Sequence, residues 1–311
     1  VDPDAGRDRL VRDEHLRHEG LVLRELLGGG VRRRLPGRRD PELRDPLGQS
    51  IVPDFKPGAG GNVASELVAK APNDGYTLLL TSPTIAISPS LYAKLGYDTF
   101  KDFTPITLLA TVPNVMVVHP SVPAKSLAEL IKLAKAKPGS LNFGSGGLGS
   151  GSQLGSELFK TLSKINIVHV PYKGAAIAMN AMLSGEVDMV TSTVPATIPL
   201  VNAGRIRALA VMANERVATL PKVPTAAEAG LPGFTFNSWF AMVAPAGTPK
   251  AILHKIQADT ARALNAPDVQ QRAQDFGMQV VGSKPEQFDA FIGSEIKRWR
   301  QIVTEAKIEQ E

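Results

Sequence analysis

From about Leu47 onward, short apolar runs alternate with stretches in which apolar residues recur every three to four positions. The first pattern is that of a buried strand and the second that of a helix with one apolar face. The strands read as Ser50–Asp54, Tyr76–Thr81, Ile165–Val170, Val187–Thr191, Ile206–Met212 and Asn237–Val243, with Thr104–Val118 extended but broken at Pro113. The helices read as Asn62–Ala71, Ser126–Lys137, a segment from Ser152, Ala175–Leu183, Pro195–Ala203, Pro249–Asn265, Pro267–Phe276 and a long one after Gly282-Ser283. The last carries Phe288, Phe291, Ile292, Ile296, Trp299 and Val303 on one face, which is core packing. Strands alternating with helices argue for the α/β class with mainly parallel sheets.

The stretch LNFGSGGLGSGSQLGSELFKTL, residues 141–162, is where chemistry concentrates. An apolar run ends at Phe143, a Gly/Ser loop follows, and Leu154, Leu158 and Leu162 then recur at helical spacing. A helix start leaves backbone N–H groups unpaired and carries partial positive charge, which suits an anion. Ser145, Ser150 and Ser152 add hydroxyls. Gly144-Ser145-Gly146-Gly147-Leu148-Gly149 also matches the dinucleotide fingerprint, which supports a rival reading as a cytoplasmic nucleotide-dependent enzyme. That fingerprint wants an acidic residue about 20 positions on, at the end of the next strand. Here the strand runs into Pro171-Tyr172-Lys173, with no carboxylate.

Other chemistry is sparse. The chain has no Cys, which excludes disulfides and thiolate sites, and there is no phosphate loop or nucleophile elbow. His119, His169 and His254 stand apart from one another, so no metal site is read, and each is taken as a packed side chain. Asp188 at a strand start reads as pairing within the fold. The 311 residues suffice for two domains; the net charge of +5 is modest and the lysines are dispersed singly rather than clustered on one helix, giving no nucleic-acid footprint. No apolar run is long enough to span a bilayer, and no basic region followed by an apolar core marks an export signal. No Arg occurs between Leu47 and Asn202, so a carboxylate held there meets neutral donors rather than a guanidinium fork.

Residues 1–46 differ from the rest. They hold eleven Arg and no Lys, whereas residues 47–311 hold seven Arg and seventeen Lys. They read either as a disordered charged arm or as a GC-rich gene translated out of frame, returning to register near Leu47.

In order along the chain, PGAGGN (57–62), PNDGYTLLLTS (72–82), SLYAKLGYD (90–98), VPYKGAA (170–176) and SWFAMVAPAGTP (238–249) resemble the Bug-type extracytoplasmic solute receptors. These are the substrate-binding subunits of tripartite tricarboxylate transporters, and the resemblance runs from Leu47 to about Lys307. It implies a two-lobed periplasmic-binding-protein fold (Venus flytrap, type II), with lobe 1 from residues 47–117 and 238–311 and lobe 2 from residues 118–237. It implies no catalysis, cofactor or metal. A periplasmic monomer would close on a small organic carboxylate, amino acid or related metabolite and deliver it to membrane transport subunits. Carried over by position, Ser145, Gly146, Gly147 and Ser150 face the ligand from lobe 2, with Thr193 and Val194 beside them. Thr81, Ser82 and Thr84 contribute from lobe 1, Tyr172 shuts the cleft, and Asn237 and Trp239 are lesser candidates. A further Gly-rich loop with an acidic residue would precede Leu47, and no recognisable counterpart of it stands there.

Overall fold

The computed structural model describes residues 51–54, 56, 61–305, 308 and 310. The segment 1–46 and most of the turn at 57–62 lie outside the described residues. Helix α1 (Asn62–Ala69) leads to strand β1 (Leu79–Thr81), helix α2 (Thr84–Leu91) and the long strand β2 (Phe103–Val118). Three βα units follow: α3 (Leu127–Ala136), β3 (Asn142–Ser145), α4 (Gly151–Ser163), β4 (Val168–Pro171), α5 (Ala175–Leu183), β5 (Met189–Thr193) and α6 (Val194–Asn202). The chain returns through β6 (Arg207–Val211) and β7 (Asn237–Pro245), then α7 (Lys250–Leu264), α8 (Pro267–Asp275), β8 (Gln279–Val280) and α9 (Pro285–Glu305).

Strand β2 belongs to both halves. Its residues 103–113 pair antiparallel with β7, which in turn pairs with β1, and residues 110–111 pair with β8. From Asn114 to Val118 it pairs instead with β5, and from Val115 with β6, again antiparallel. Beyond β5 lie β3 and β4, all three parallel. Pairing is therefore mixed rather than mainly parallel. The βα units do give parallel neighbours, but the strands that cross between the halves enter against the direction of their partners. Asn114, buried where β2 changes partners, donates to Phe236 O at 3.0 Å and shares a hydrogen bond with Ser238 Oγ at 3.1 Å.

Three sequence expectations are corrected. Residues 51–54 form no strand, and Ile51 and Val52 are exposed; Pro53 supplies no N–H to a ladder. Only Leu79–Thr81 of the 76–81 run is strand, and Tyr76 is exposed. Pro113 does not break β2, because it sits at the changeover, where it faces Asn237 at the end of the β7 ladder. The strand expected at Ile165–Val170 begins only at Val168 and that at Val187–Thr191 only at Met189, and helix α2 starts where the sequence reads as a polar turn; other elements agree closely. Ser126 caps α3 by accepting from Glu129 N at 3.2 Å, while Glu129 accepts from Lys125 N at 2.6 Å. Helix α9 buries Phe288, Ile292, Ile296, Trp299 and Val303 as its period requires. Asp188 and Asn142 exchange two bonds of 2.8 Å, pinning β5 to β3.

One network on α9 had no counterpart in the sequence reading. Glu295, 6% exposed, accepts the indole N–H of Trp239 at 3.0 Å and of Trp299 at 3.1 Å on the same Oε2. Its other oxygen meets Arg298 at 3.3 Å, and the Arg298 guanidinium lies 5.4 Å from the Trp299 ring centroid. Arg298 also donates to Thr235 O.

Candidate functional site

The loop between β3 and α4 is built as a closed hydrogen-bonded circuit. Ser150 is the N-cap of α4 and accepts from Gln153 N at 3.3 Å. Its hydroxyl donates to Gly147 O at 2.6 Å and lies 3.1 Å from Ser152 Oγ. Gly146 N donates to Ser152 Oγ at 2.9 Å, Gly147 N to Ser145 Oγ at 3.1 Å, and Gly149 N to Gln153 Oε1 at 2.7 Å. The loop amides expected to be open donors are thus satisfied by the chain's own side chains.

Two glycines have specific reasons. Gly147 has φ +108°, a left-handed conformation. A Cβ on Gly146 would lie 3.0 Å from Ala175 N and 3.3 Å from Gly174 C, so the loop rests directly on the start of α5. On its other side, a Cβ on Gly149 would lie 3.2 Å from Leu91 Cδ1 at the end of α2. Gly155 inside α4 lets the helix close on β5 and Phe236: a Cβ there would lie 2.7 Å from Thr191 Cγ2.

Ser145 is fully buried, with Oγ 2.6 Å from His169 Nε2. The His169 ring stacks on Phe143 at 4.7 Å and 16°. Burial, then the positive charge of Lys160, lowers the His169 pKa from 6.5 to about 4. A Ser–His contact invites comparison with a nucleophile and its base, but Ser145 faces the interior and its oxygen is occupied by Gly147 N–H. The unfolded chain takes the His169 proton near pH 6.5 and the folded chain only near 4. Stability attributable to this group is therefore intact above 6.5 and falls as the pH drops toward 4. Urea midpoints measured across that interval should decline more steeply for wild type than for His169→Phe; parallel declines would contradict the assignment.

Tyr172 lies against Gly144, with Cε2 3.4 Å from where a Cβ would stand, and its N–H donates to Ser145 O at 2.9 Å. Its hydroxyl donates to Glu186 Oε1 at 2.7 Å; partial burial and that carboxylate push its pKa up to about 12. Thr193 is the N-cap residue of α6 and makes no side-chain cap. Val194 is fully buried, backbone included, in the core of this half, so the structure presents none of it to a cleft.

In the other half, Thr81, Ser82 and Thr84 cluster at the start of α2, with Ser82 Oγ and Thr84 Oγ1 3.1 Å apart. Helix α2 links the two regions without bringing these side chains together: Ser82 precedes it and Thr84 opens it, whereas the approach to Gly149 is made by Leu91 and Tyr92 at its other end. Trp239 does not join them. Fully buried and committed to Glu295, it is core, while Asn237 is exposed at the start of β7. Ser152 and Gln153, which complete the loop circuit, were missed as partners of Gly146 and Gly149; their placement in the first turn of α4 was the available signal.

Neutral donors dominate. Arg207 is spent on the carbonyls of Val122 and Ala124, at 3.1 and 2.9 Å, and Arg216 on Glu228 at 2.8 Å. Among the described residues no cluster of His, Asp and Glu could hold a metal ion. The dinucleotide fingerprint lacks its acidic partner here too, since β4 ends at Pro171 and runs into Tyr172 and Lys173. A cavity of about 450 Å³ opens elsewhere, lined by Pro89, Ser90, Arg300, Val303, Thr304, Ile308 and Gln310.

Comparison with known proteins places this arrangement. Residues 38–308 match the family described as the tripartite tricarboxylate transporter family receptor, a match that starts inside the Arg-rich segment. A protein from R. palustris solved with adipate is 35% identical, covering 94% of each chain, with a TM-score of 0.84. The periplasmic binding protein BugD is 30% identical over 93% of each chain, at a TM-score of 0.82. MatC from Rhodopseudomonas palustris, solved with bound malate, is 32% identical over 92% of this chain and 94% of its own, at 0.81.

Proposed function

Since this chain belongs to the tripartite tricarboxylate transporter receptor family, we propose that it closes two α/β lobes on a small dicarboxylate and presents the closed form to membrane transport subunits. Membership makes it a solute-binding receptor of two-lobed periplasmic-binding-protein fold, not an enzyme. The family is extracytoplasmic, and no helix among the described residues is long and apolar enough to cross a membrane. In this reading the chain works as a monomer in the periplasm. Lobe 1 is residues 47–117 with 238–311, and lobe 2 is residues 118–237. The partner change of β2 at Asn114 and the start of β7 at Asn237 support crossings near those bounds.

The observation that carries the ligand class is the Gly/Ser circuit at the start of α4, rich in neutral hydrogen-bonding groups with no uncommitted guanidinium built into it. Such a site holds a carboxylate by its hydroxyls and the partial positive charge of the helix N-terminus. Dicarboxylates of the size of malate and adipate, the ligands in two related structures, fit that chemistry. The test is calorimetry and thermal shift with malate, succinate, adipate, citrate and, as controls, NAD and ATP. Binding of one or more dicarboxylates at micromolar affinity supports the reading, and at 100-fold excess over Kd the ligand adds about 2.7 kcal/mol of stability. Stabilisation by nucleotides alone would overturn it.

A further inference from the structure

The circuit has a direction that follows from counting hydrogens. Ser150 Oγ donates to Gly147 O, so toward Ser152 it must accept, and Ser152 donates. Ser152 Oγ in turn accepts from Gly146 N. Ser145 Oγ accepts from Gly147 N, and its own hydrogen has two possible destinations: His169 Nε2 at 2.6 Å or Gly147 O at 3.4 Å. Gly147 O is already filled at 2.6 Å by Ser150 and approached by Ser150 N at 3.2 Å. The short contact to His169 is the better acceptor, provided that Nε2 carries no hydrogen.

We propose that His169 is a positioning residue for the ligand loop: as a neutral imidazole with its hydrogen on Nδ1, it draws the Ser145 hydroxyl hydrogen away from the loop and fixes Ser145 Oγ as the acceptor that holds Gly147. This deepens the receptor reading and rests on the loop being part of the ligand site. The lowered basicity of His169 keeps the ring in this neutral form at physiological pH. Were Nε2 to bear a hydrogen, Ser145 would have to turn its own toward Gly147 O and compete with Ser150, loosening the turn at Gly147. His169 does not touch the ligand in this scheme; it acts through Ser145.

Two substitutions separate an acceptor from a packing group. His169→Phe keeps a ring to stack on Phe143 but offers no acceptor, whereas His169→Gln loses the stack and keeps a carboxamide oxygen. With adipate and malate as probes, His169→Phe should weaken binding about tenfold, while His169→Gln stays within about threefold of wild type. Ser145→Ala should lose about tenfold, and the double variant Ser145→Ala with His169→Phe no more than Ser145→Ala alone. The reverse order of Phe and Gln, or losses that add, would overturn the proposal. A readout independent of ligand accompanies this. Nitrogen NMR of the wild type should show a hydrogen-free Nε2 on His169, and His169→Phe should shift the Gly147 amide resonance. A protonated Nε2 at neutral pH would also overturn it. If wild type binds neither acid while the NMR result holds, the ligand class is wrong and the positioning role stands.

Discussion

Glu295→Ala should lower the free energy of unfolding by about 3–5 kcal/mol, the largest effect expected of any single stability variant described. The carboxylate takes both indole hydrogens on one oxygen and the Arg298 guanidinium on the other. Both Trp239 and Trp299 are fully buried, so truncation strands two donors with no water to replace the acceptor. It also leaves a cavity between α9 and β7 and removes the countercharge beside Arg298. Glu295→Gln, which retains an acceptor oxygen, should lose only about 1–2 kcal/mol. Urea denaturation monitored by tryptophan fluorescence measures both. A loss below about 1 kcal/mol for the alanine variant would mean that the indole groups find other partners.

Gly146→Val and Gly147→Val should each weaken dicarboxylate binding by more than tenfold, at least about 1.4 kcal/mol, without unfolding the chain. The reasons differ. At Gly146 the new side chain would meet backbone, Ala175 N at 3.0 Å, which cannot swing aside as a side-chain tip could. At Gly147 the backbone sits at φ +108°, and a β-branched residue is strained there whatever the space around it. The first change pushes the loop off the α5 start and the second forces the turn away from Tyr172 O, so each disturbs the circuit through Ser145 and Ser152. Both glycines lie in a partly exposed turn, so the core beneath is spared. Calorimetric titration with circular dichroism as the folding control decides; wild-type affinity in both variants would remove the loop from the ligand site.

Much of the architecture was legible because period and punctuation agree. Ala175–Leu183 begins after Gly174 and spans the same residues in sequence and structure, and the apolar face of α9 follows from spacing alone. Helix α2 was illegible for a physical reason. Its Ile85, Ala86, Ile87, Ser88, Ser90 and Leu91 are buried on all sides, so no polar stripe marks the period, and Pro89 suggests a break. Strand direction could not be read from local pattern, since it depends on where β2 and β7 cross. At the site, the Gly/Ser loop announced itself, but its amides looked free because a sequence does not show which hydroxyl folds back on which N–H. The Glu295 network was hidden by distance, with Trp239 and Glu295 56 positions apart.

The ladder between β2 and β7 joins positions well over a hundred apart in the chain, and the intervening residues form the sheet of β3, β4, β5 and β6. Bringing its ends together while the intervening chain is uncoiled costs entropy that grows with the logarithm of the enclosed length. Once that stretch has collapsed around its own core, the ends of β2 and β7 emerge already near each other, and the effective length to be closed shrinks to a few residues. A topology of this kind favours condensation of the intervening stretch before the β2–β7 ladder closes, an order that pulsed hydrogen exchange during refolding would read as earlier protection in β5 and β6 than in β7.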